Sequence, residues 1–374
     1  MKATDVVVIG AGIIGSSAAY YLAKKGVDVT LIDTGGPLSS GTATPACAGG
    51  VRQQGRTPFE IPLALFAIQL WTGLEAELDA DLHYRQGGMT VMCADETLIP
   101  RLQERVTLEQ SLGLDIRMVQ KQELHDLIPG LSARMIAGSY CPSDGHADPM
   151  RTISAFEAAA RRLGAHMRWH CAAESLVVEK HKIAAVKTAK GNIPCRQVVL
   201  AAGIWSKGIA ATAGLDLPFQ PITLQMMVTA TRPPFLDQVL GWLGHGISLK
   251  QVPAGGYVIG GGWPGHGDPD TYRTRLHPGS MAKSAKTAVE LFPALAGVPV
   301  VRAWVGIEAF STDEMQIIGP VADIDGLTLA AGFSGHGFGI GPGVGALIAR
   351  YLVSDQLPDL LRPYSIERFK LDLS

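Results

Sequence analysis

Three glycines spaced G-x-G-x-x-G, Gly10, Gly12 and Gly15, follow directly on the apolar run Val6-Val7-Val8-Ile9. This spacing lets backbone turn tightly and approach a pyrophosphate, whose charge is favoured by the N-terminus of a following helix. The elements that must position these glycines are legible around them. Val6–Ile9 reads as a buried parallel strand. A helix is predicted over residues 14–25, with Ala18, Ala19 and Leu22 facing the sheet and Gly26 where a C-terminal cap belongs. Residues 27–32 predict a second strand. Asp33 ends it, about 20 residues past the glycines, where an acid can bind a ribose. The glycine spacing alone is compatible with ordinary turn chemistry; strand, glycines, helix and terminal acid in this order point to a dinucleotide.

The chain has 374 residues, 47% apolar and 18% charged, with a net charge of −2. That length suits one elaborated domain or two interleaved ones. The charge balance gives no nucleic-acid footprint. No signal-peptide pattern precedes the first strand, and no uninterrupted apolar stretch reaches the roughly 18 residues of a membrane span. Five scattered cysteines (Cys47, Cys93, Cys141, Cys171, Cys195) form no C-x-x-C pair, so a cytoplasmic protein with reduced thiols and no metal site is expected. Forty-four glycines suit a backbone that closely approaches a large cofactor.

Two later segments sharpen the reading. Residues 175–180 and 183–188 flank a polar turn. They lead into Gln197-Val198-Val199-Leu200-Ala201-Ala202-Gly203-Ile204-Trp205-Ser206, a strand that ends in a small-residue turn. Leu327–Phe333 is another strand, feeding Ser334-Gly335-His336-Gly337-Phe338-Gly339-Ile340-Gly341-Pro342-Gly343 and a helix predicted over residues 344–353. A glycine-rich entry to a helix is a second anion or dipole site. These segments, with Ile317-Ile318-Gly319-Pro320 and the Gly10–Asp33 unit, resemble the FAD-dependent glycine and D-amino-acid oxidase family over essentially the full length.

The resemblance implies an α/β fold: a Rossmann-like FAD-binding domain of the glutathione-reductase type, interleaved with a mostly antiparallel sheet substrate domain. The FAD domain is expected over residues 1–86, 142–217 and 296–374, and the substrate domain over 87–141 and 218–295. Strands over residues 89–93, 219–230, 247–252 and 256–260 and a charged helix over 96–112 suit that division. The implied FAD contacts are Gly10, Gly12, Ile13, Ile14 and Gly15 at the pyrophosphate, Asp33 and Thr34 at the ribose, and Ala173 beside the adenine. Ser40, Gly41, Thr42, Gly49, Gly50 and Val51 would pass under the ribityl chain and flavin. Ala201, Ala202, Gly203 and Trp205 would lie along the cofactor, and Gly335, His336, Gly337, Phe338, Gly339 and Ile340 would cover its pyrimidine side.

The reaction such a site implies is hydride removal from a C–H beside a neutral amine, with the cofactor supplying the redox chemistry. Arg52 is the candidate to bind a substrate carboxylate, because guanidinium can do so bidentately. Its neighbours Gln53, Gln54 and Arg56 make the loop polar, so a solvated arginine is the alternative. Glu308 is a candidate to pair with the substrate ammonium, or instead with Arg302. His336 would either touch the flavin or pack. His146 suits a turn or cap, and Trp242, Tyr257 and Trp263 are pocket walls or core.

Departures from the family bear on electron flow. In the monomeric sarcosine-oxidase branch lysines bind the carboxylate and activate oxygen; the matching places hold Gly339 and Val258. Losing a cation beside the flavin slows reaction with oxygen. No cysteine lies around Trp304–Phe310 to carry a covalent flavin, so non-covalent FAD is expected. Gly306-Ile307-Glu308 and Val51-Arg52-Gln53-Gln54 are similar to β subunits of heteromeric dehydrogenases of proline, hydroxyproline, sarcosine or opines. That similarity implies a catalytic β-type subunit oxidising a secondary-amine amino acid and passing electrons to companion redox subunits. Pro149 stands where a covalent-FMN histidine would fall, leaving only a non-covalent FMN at a subunit interface. A stand-alone oxidase producing peroxide, with Lys250 or His336 activating oxygen, and a non-catalytic FAD-binding scaffold are the alternatives.

Overall fold

Val6, Val7 and Val8 have no solvent exposure, because their strand, Thr4–Ile9, lies between two parallel neighbours with both faces covered. The computed structural model describes residues 3–36 and 38–369. Val8 stands opposite Leu31 of Val29–Ile32 on one side and Val199 of Gly191–Leu200 on the other. The glycine turn then enters a helix, Ile13–Lys24, whose Ala18, Ala19 and Leu22 are fully buried. Gly26 adopts φ +78° and closes this helix: its N–H bonds the Ala23 carbonyl at 2.9 Å, and that of Val27 bonds Leu22 at 3.2 Å. That closure occupies Val27, so the second strand begins at Val29 rather than at residue 27.

The first sheet has eight strands, with Ile324–Ala331 joining Gly191–Leu200 in parallel and Ala173–Glu179 pairing antiparallel with Lys182–Thr188. The second, also eight-stranded, is antiparallel except where Met89–Cys93 runs parallel to Val239–Trp242. Its longest pairing joins Phe219–Thr229 to Val300–Ser311, so this sheet also draws on chain downstream of residue 295. Trp242 and Tyr257 are packed into its core, the first 4% and the second 4% exposed, which settles their reading as core residues.

One expectation needs correcting. The glycine-rich segment read as a loop up to residue 343 is helical from Gly337, and the helix runs to Ser354 through Pro342. Its glycines serve close packing rather than looseness. A side chain on Gly345 would run into Ser17 and Ala18, one on Gly341 would meet Ile13 at 2.6 Å, and one on Gly343 would meet Ala67 at 3.1 Å. Ser17 Oγ also donates to the Gly341 carbonyl at 2.9 Å. This helix therefore crosses the dinucleotide helix nearly backbone to backbone.

The helix Ile61–Leu78 is long and apolar enough to cross a membrane by length and composition, although Gln69, Glu75 and Glu77 break any uninterrupted apolar run. Here it is a core helix. Leu63, Ala67, Trp71 and Leu74 are buried, and Trp71 Nε1 donates to the Gly339 carbonyl at 2.7 Å.

Candidate cofactor and substrate site

A cavity of about 740 Å³ opens at the carboxyl ends of the parallel strands and runs from Asp33 and Glu174 to Glu308. Its floor is the glycine turn. Gly10 has φ +103°, and any side chain there would collide with the Ala201 carbonyl; at Gly12 it would stand 3.2 Å from Thr44 Oγ1. The helix N-terminus above has no acid in its first turn; the Ile13 N–H reaches only the neutral Thr44 Oγ1, at 3.2 Å. A glycine floor, an open helix end and a long cavity fit the pyrophosphate and extended shape of a dinucleotide.

Asp33 stands at the end of its strand as expected, and its carboxylate also organises the turn. Oδ2 accepts the Ala11 N–H at 2.8 Å, and Oδ1 accepts those of Gly35 and Gly36 at 2.8 Å each. Thr34, Ser40, Thr42, Ala173, Ala201, Ala202, Gly203, Trp205, Gly335, Gly337 and Phe338 line the same cavity, as do Ile13 and Ile14. Gly15, Gly41, Val51 and Ile340 do not. Gly15 lets the helix seat on the Gly10 carbonyl, Gly41 forms a turn at φ +81°, and Val51 and Ile340 are core residues with no exposure.

A second cavity, about 350 Å³, adjoins the first and shares Cys47, Glu308, Ser334, Gly335 and Phe338 with it. Gly49, Gly50, Arg52, Arg56, His336 and Gly339 line this second space, with Met89, Leu224, Met226, Val239 and Ile247 as an apolar wall. Glu308 thus stands where the two cavities meet. Strand alternation puts Arg302 on the same face, but six residues of strand separate the two by about 20 Å. The expected alternative of a Glu308–Arg302 pair is therefore not formed; the Arg302 guanidinium lies over the Trp304 ring, 6.0 Å from its centroid. Burial pushes the Glu308 carboxyl up to about 7 despite a hydrogen bond from the Gly335 N–H.

The loop carrying Arg52 is not solvated. Gln53 is 2% exposed, Gln54 1% and Arg56 8%, and the reason is Asp144. This fully buried carboxylate accepts the Gln53 N–H at 2.6 Å and the Gln54 N–H at 3.4 Å, fastening the loop from across the chain. Arg52 Nη1 donates to the Gln54 carbonyl at 2.8 Å, which holds the guanidinium at the cavity wall. Burial, with Arg56 next to it, lowers its pKa to about 10, so it stays charged. Arg56 pairs with Glu60 at 3.4 Å and donates Nε to the Arg52 carbonyl at 2.8 Å.

Glu60 is the residue that sequence reasoning missed. It has no exposure and takes the Nδ1–H of His336 at 2.9 Å as well as Arg56. Burial opposes ionisation, but the His336 hydrogen bond and the Arg56 charge hold the carboxyl down at about 2. Burial brings His336 down to about 4, so a neutral imidazole donates to an ionised carboxylate. Its one sequence signal, an i, i+4 spacing from Arg56, is common on helix surfaces.

His146 is a buried strand residue paired with Gly50, and Asp148 is the cap of the next helix. Lys250 is 3% exposed and donates Nζ to the Ala147 carbonyl at 3.1 Å, beside Gly49. It stands opposite Val258 in strand register, and burial lowers its pKa to about 8.

A family model described as FAD dependent oxidoreductase (DAO) matches residues 5–351. The chain belongs to that family. FAD is accordingly the dinucleotide that the first cavity fits, and this DAO-family protein is an FAD-dependent oxidoreductase. It is 26% identical to sarcosine oxidase subunit beta of Arthrobacter sp. over 99% of this chain and 92% of that one. It is also 26% identical to dimethylglycine dehydrogenase of Mus musculus, covering 95% of this chain but only 43% of that larger protein. Among solved structures, L-proline dehydrogenase from P. horikoshii superposes with a TM-score of 0.92 at 27% identity, covering 99% of both chains.

Proposed function

We propose that this enzyme oxidises the C–N bond of a secondary-amine amino acid, working as the FAD-bearing, β-type subunit of a larger assembly. The observation that carries the reading is the set of charged side chains, two basic and one acidic, that line the second cavity. Arg52 and Arg56 offer guanidinium to a carboxylate, and Glu308, half-buried at the junction with the cofactor cavity, offers an acceptor to an amine. An amino acid held by both ends would present its amine-bearing carbon toward the first cavity. Bound FAD supplies the two-electron acceptor there. Glu308, with its pKa raised to about 7, takes the ammonium as a counter-ion or accepts its proton, leaving the amine neutral. The Met89, Leu224 and Met226 wall excludes water and receives the apolar part of the substrate.

Non-covalent FAD is supported by Cys47. It lines both cavities, but burial raises its thiol to about 12, so it stays protonated and unreactive. Pro149 offers no nitrogen nucleophile, so an FMN brought by a companion subunit would sit non-covalently at the interface. The free cysteines suit a reducing compartment such as the cytoplasm.

The test is anaerobic mixing of the yellow protein with proline, hydroxyproline, sarcosine, glycine and an opine. Loss of flavin absorbance with a secondary amine, dye reduction and little peroxide are expected. No bleaching with any amino acid would reduce the protein to a scaffold. A second reading, a stand-alone oxidase, draws on Lys250, a buried cation reaching the Gly49 loop from the place opposite Val258. Stoichiometric peroxide from the isolated chain would establish it in place of the first.

A further inference from the structure

A two-stranded hairpin, His266–Asp268 with Arg273–Arg275, hangs from the second sheet, and its tip reaches the cofactor cavity of the first. Its strands carry exposed side chains and no core of their own, and an isolated ribbon of this size is marginal in water. What holds the tip is a set of contacts to residues that frame the cofactor cavity. Trp205 Nε1 donates to the Pro269 carbonyl at 2.8 Å. The Tyr272 ring stacks on the Trp205 indole with centroids 4.7 Å apart and planes 11° from parallel. The Tyr272 carbonyl and the Thr274 methyl close on Gly41, where any Cβ would meet each at 3.4 Å.

Tyr272 lines the cavity yet is 43% exposed, which puts it on the rim between cofactor and solvent. Its backbone has φ +57°, a conformation that a side chain makes costly and glycine would not. Asp268 closes the turn from within, accepting the Asp270 N–H at 2.9 Å and the Thr271 hydroxyl at 2.8 Å, so what the ring's contacts add is the tie between this tip and the cavity rim.

We propose that Tyr272 is a cofactor-retaining residue: its stack on Trp205 latches the hairpin across the rim of the FAD cavity, and FAD leaves only when that stack opens. The latch joins a separate strand pair, packed against Val300–Ser311 of the second sheet, to the turn after Leu200 in the first, so it couples cofactor retention to how the two sheets' surroundings pack. It does not depend on which substrate the second cavity takes.

The experiment measures FAD release from the holoprotein after transfer to FAD-free buffer, followed by the rise of free-FAD fluorescence. Tyr272→Phe keeps the ring and should release FAD at the wild-type rate. Tyr272→Gly removes the ring while suiting the backbone at φ +57°, and should release FAD about tenfold faster, the scale expected for one aromatic stack. Release from Tyr272→Gly within about twofold of wild type would overturn the proposal. Should that variant fail to fold, hydrogen exchange of wild-type residues 266–275 decides. Slower exchange in the holoprotein than in the apoprotein supports the latch, and equal exchange refutes it.

Discussion

His336 donates its Nδ1–H to Glu60 at 2.9 Å, joining residues 276 positions apart and tying the glycine-rich helix to the arginine loop. Glu60 at the same time holds Arg56 at 3.4 Å, so one buried carboxylate fixes two groups that line the second cavity. Glu60→Ala leaves the Arg56 guanidinium buried with no carboxylate, a change that costs about 3–5 kcal/mol. A large fall in the urea midpoint is the expected result. Glu60→Gln keeps the volume but presents an NH2 group to a donor, so it should fold and yet lower kcat/KM about tenfold or more. Unchanged kinetics in a folded Glu60→Gln protein would remove the residue from the site.

Arg52 is charged, half-buried and held at the cavity wall through backbone carbonyls rather than by an acid, which leaves its fork free for an anion. Arg52→Met should raise KM for an amino acid about 10- to 100-fold, the scale of a charge-assisted hydrogen bond. Arg52→Lys should restore little, because an ammonium cannot reproduce a bidentate grip. The check is steady-state kinetics with the substrate found by anaerobic bleaching, set against a substrate amine lacking the carboxylate. Equal KM values for the two ligands in wild type would show that no carboxylate is recognised.

How much of this could be read beforehand depends on whether a residue's partner lies nearby in sequence. The Gly10–Asp33 unit was legible because strand, turn, helix and acid are consecutive and each has its own local signal. The Schellman closure at Gly26 and the hairpin of Ala173–Glu179 with Lys182–Thr188 were legible for the same reason. Glu60 was not, since nothing local separates an acid paired with a histidine 276 residues away from a solvated one. The loop of Gln53 and Gln54 misled in the same way: its burial depends on Asp144, about 90 residues on. The early start of the Gly337–Ser354 helix was hidden because glycine and proline oppose helix locally. Only packing on Ile13, Ser17 and Ala67 explains why they are there.

That packing makes its own prediction. Gly345 lies so close to Ser17 Oγ and the Ala18 backbone that a methyl group must displace main chain. Alanine is the better helix former by about 1 kcal/mol, so propensity alone predicts stabilisation by Gly345→Ala. Overpacking of a tight helix crossing costs about 1–3 kcal/mol and should win. A lower thermal midpoint of the apoprotein, together with weaker FAD retention, is expected. A higher midpoint would mean that the two helices separate easily.

Glu308 gives the sharpest pH dependence. Its carboxyl, ordinarily near 4.3, is raised to about 7 by burial at the cavity junction. Below about pH 7 it is protonated and offers a substrate ammonium no charge; above, it is ionised. If it receives the ammonium or its proton, kcat/KM climbs with pH and levels off above about 7. Glu308→Gln should lower the plateau and abolish that inflection, and an unmoved inflection would assign it to another group. The stability sign runs opposite to activity. A carboxyl whose folded pKa is raised favours folding fully below its unfolded value, and that contribution is lost as pH rises through about 7. Glu308→Gln, which cannot ionise, should therefore resist urea better than wild type at about pH 8 and no better near pH 4. The acid proposed to serve the amine above neutrality thus weakens the fold there, and a bound ammonium ligand should restore the difference.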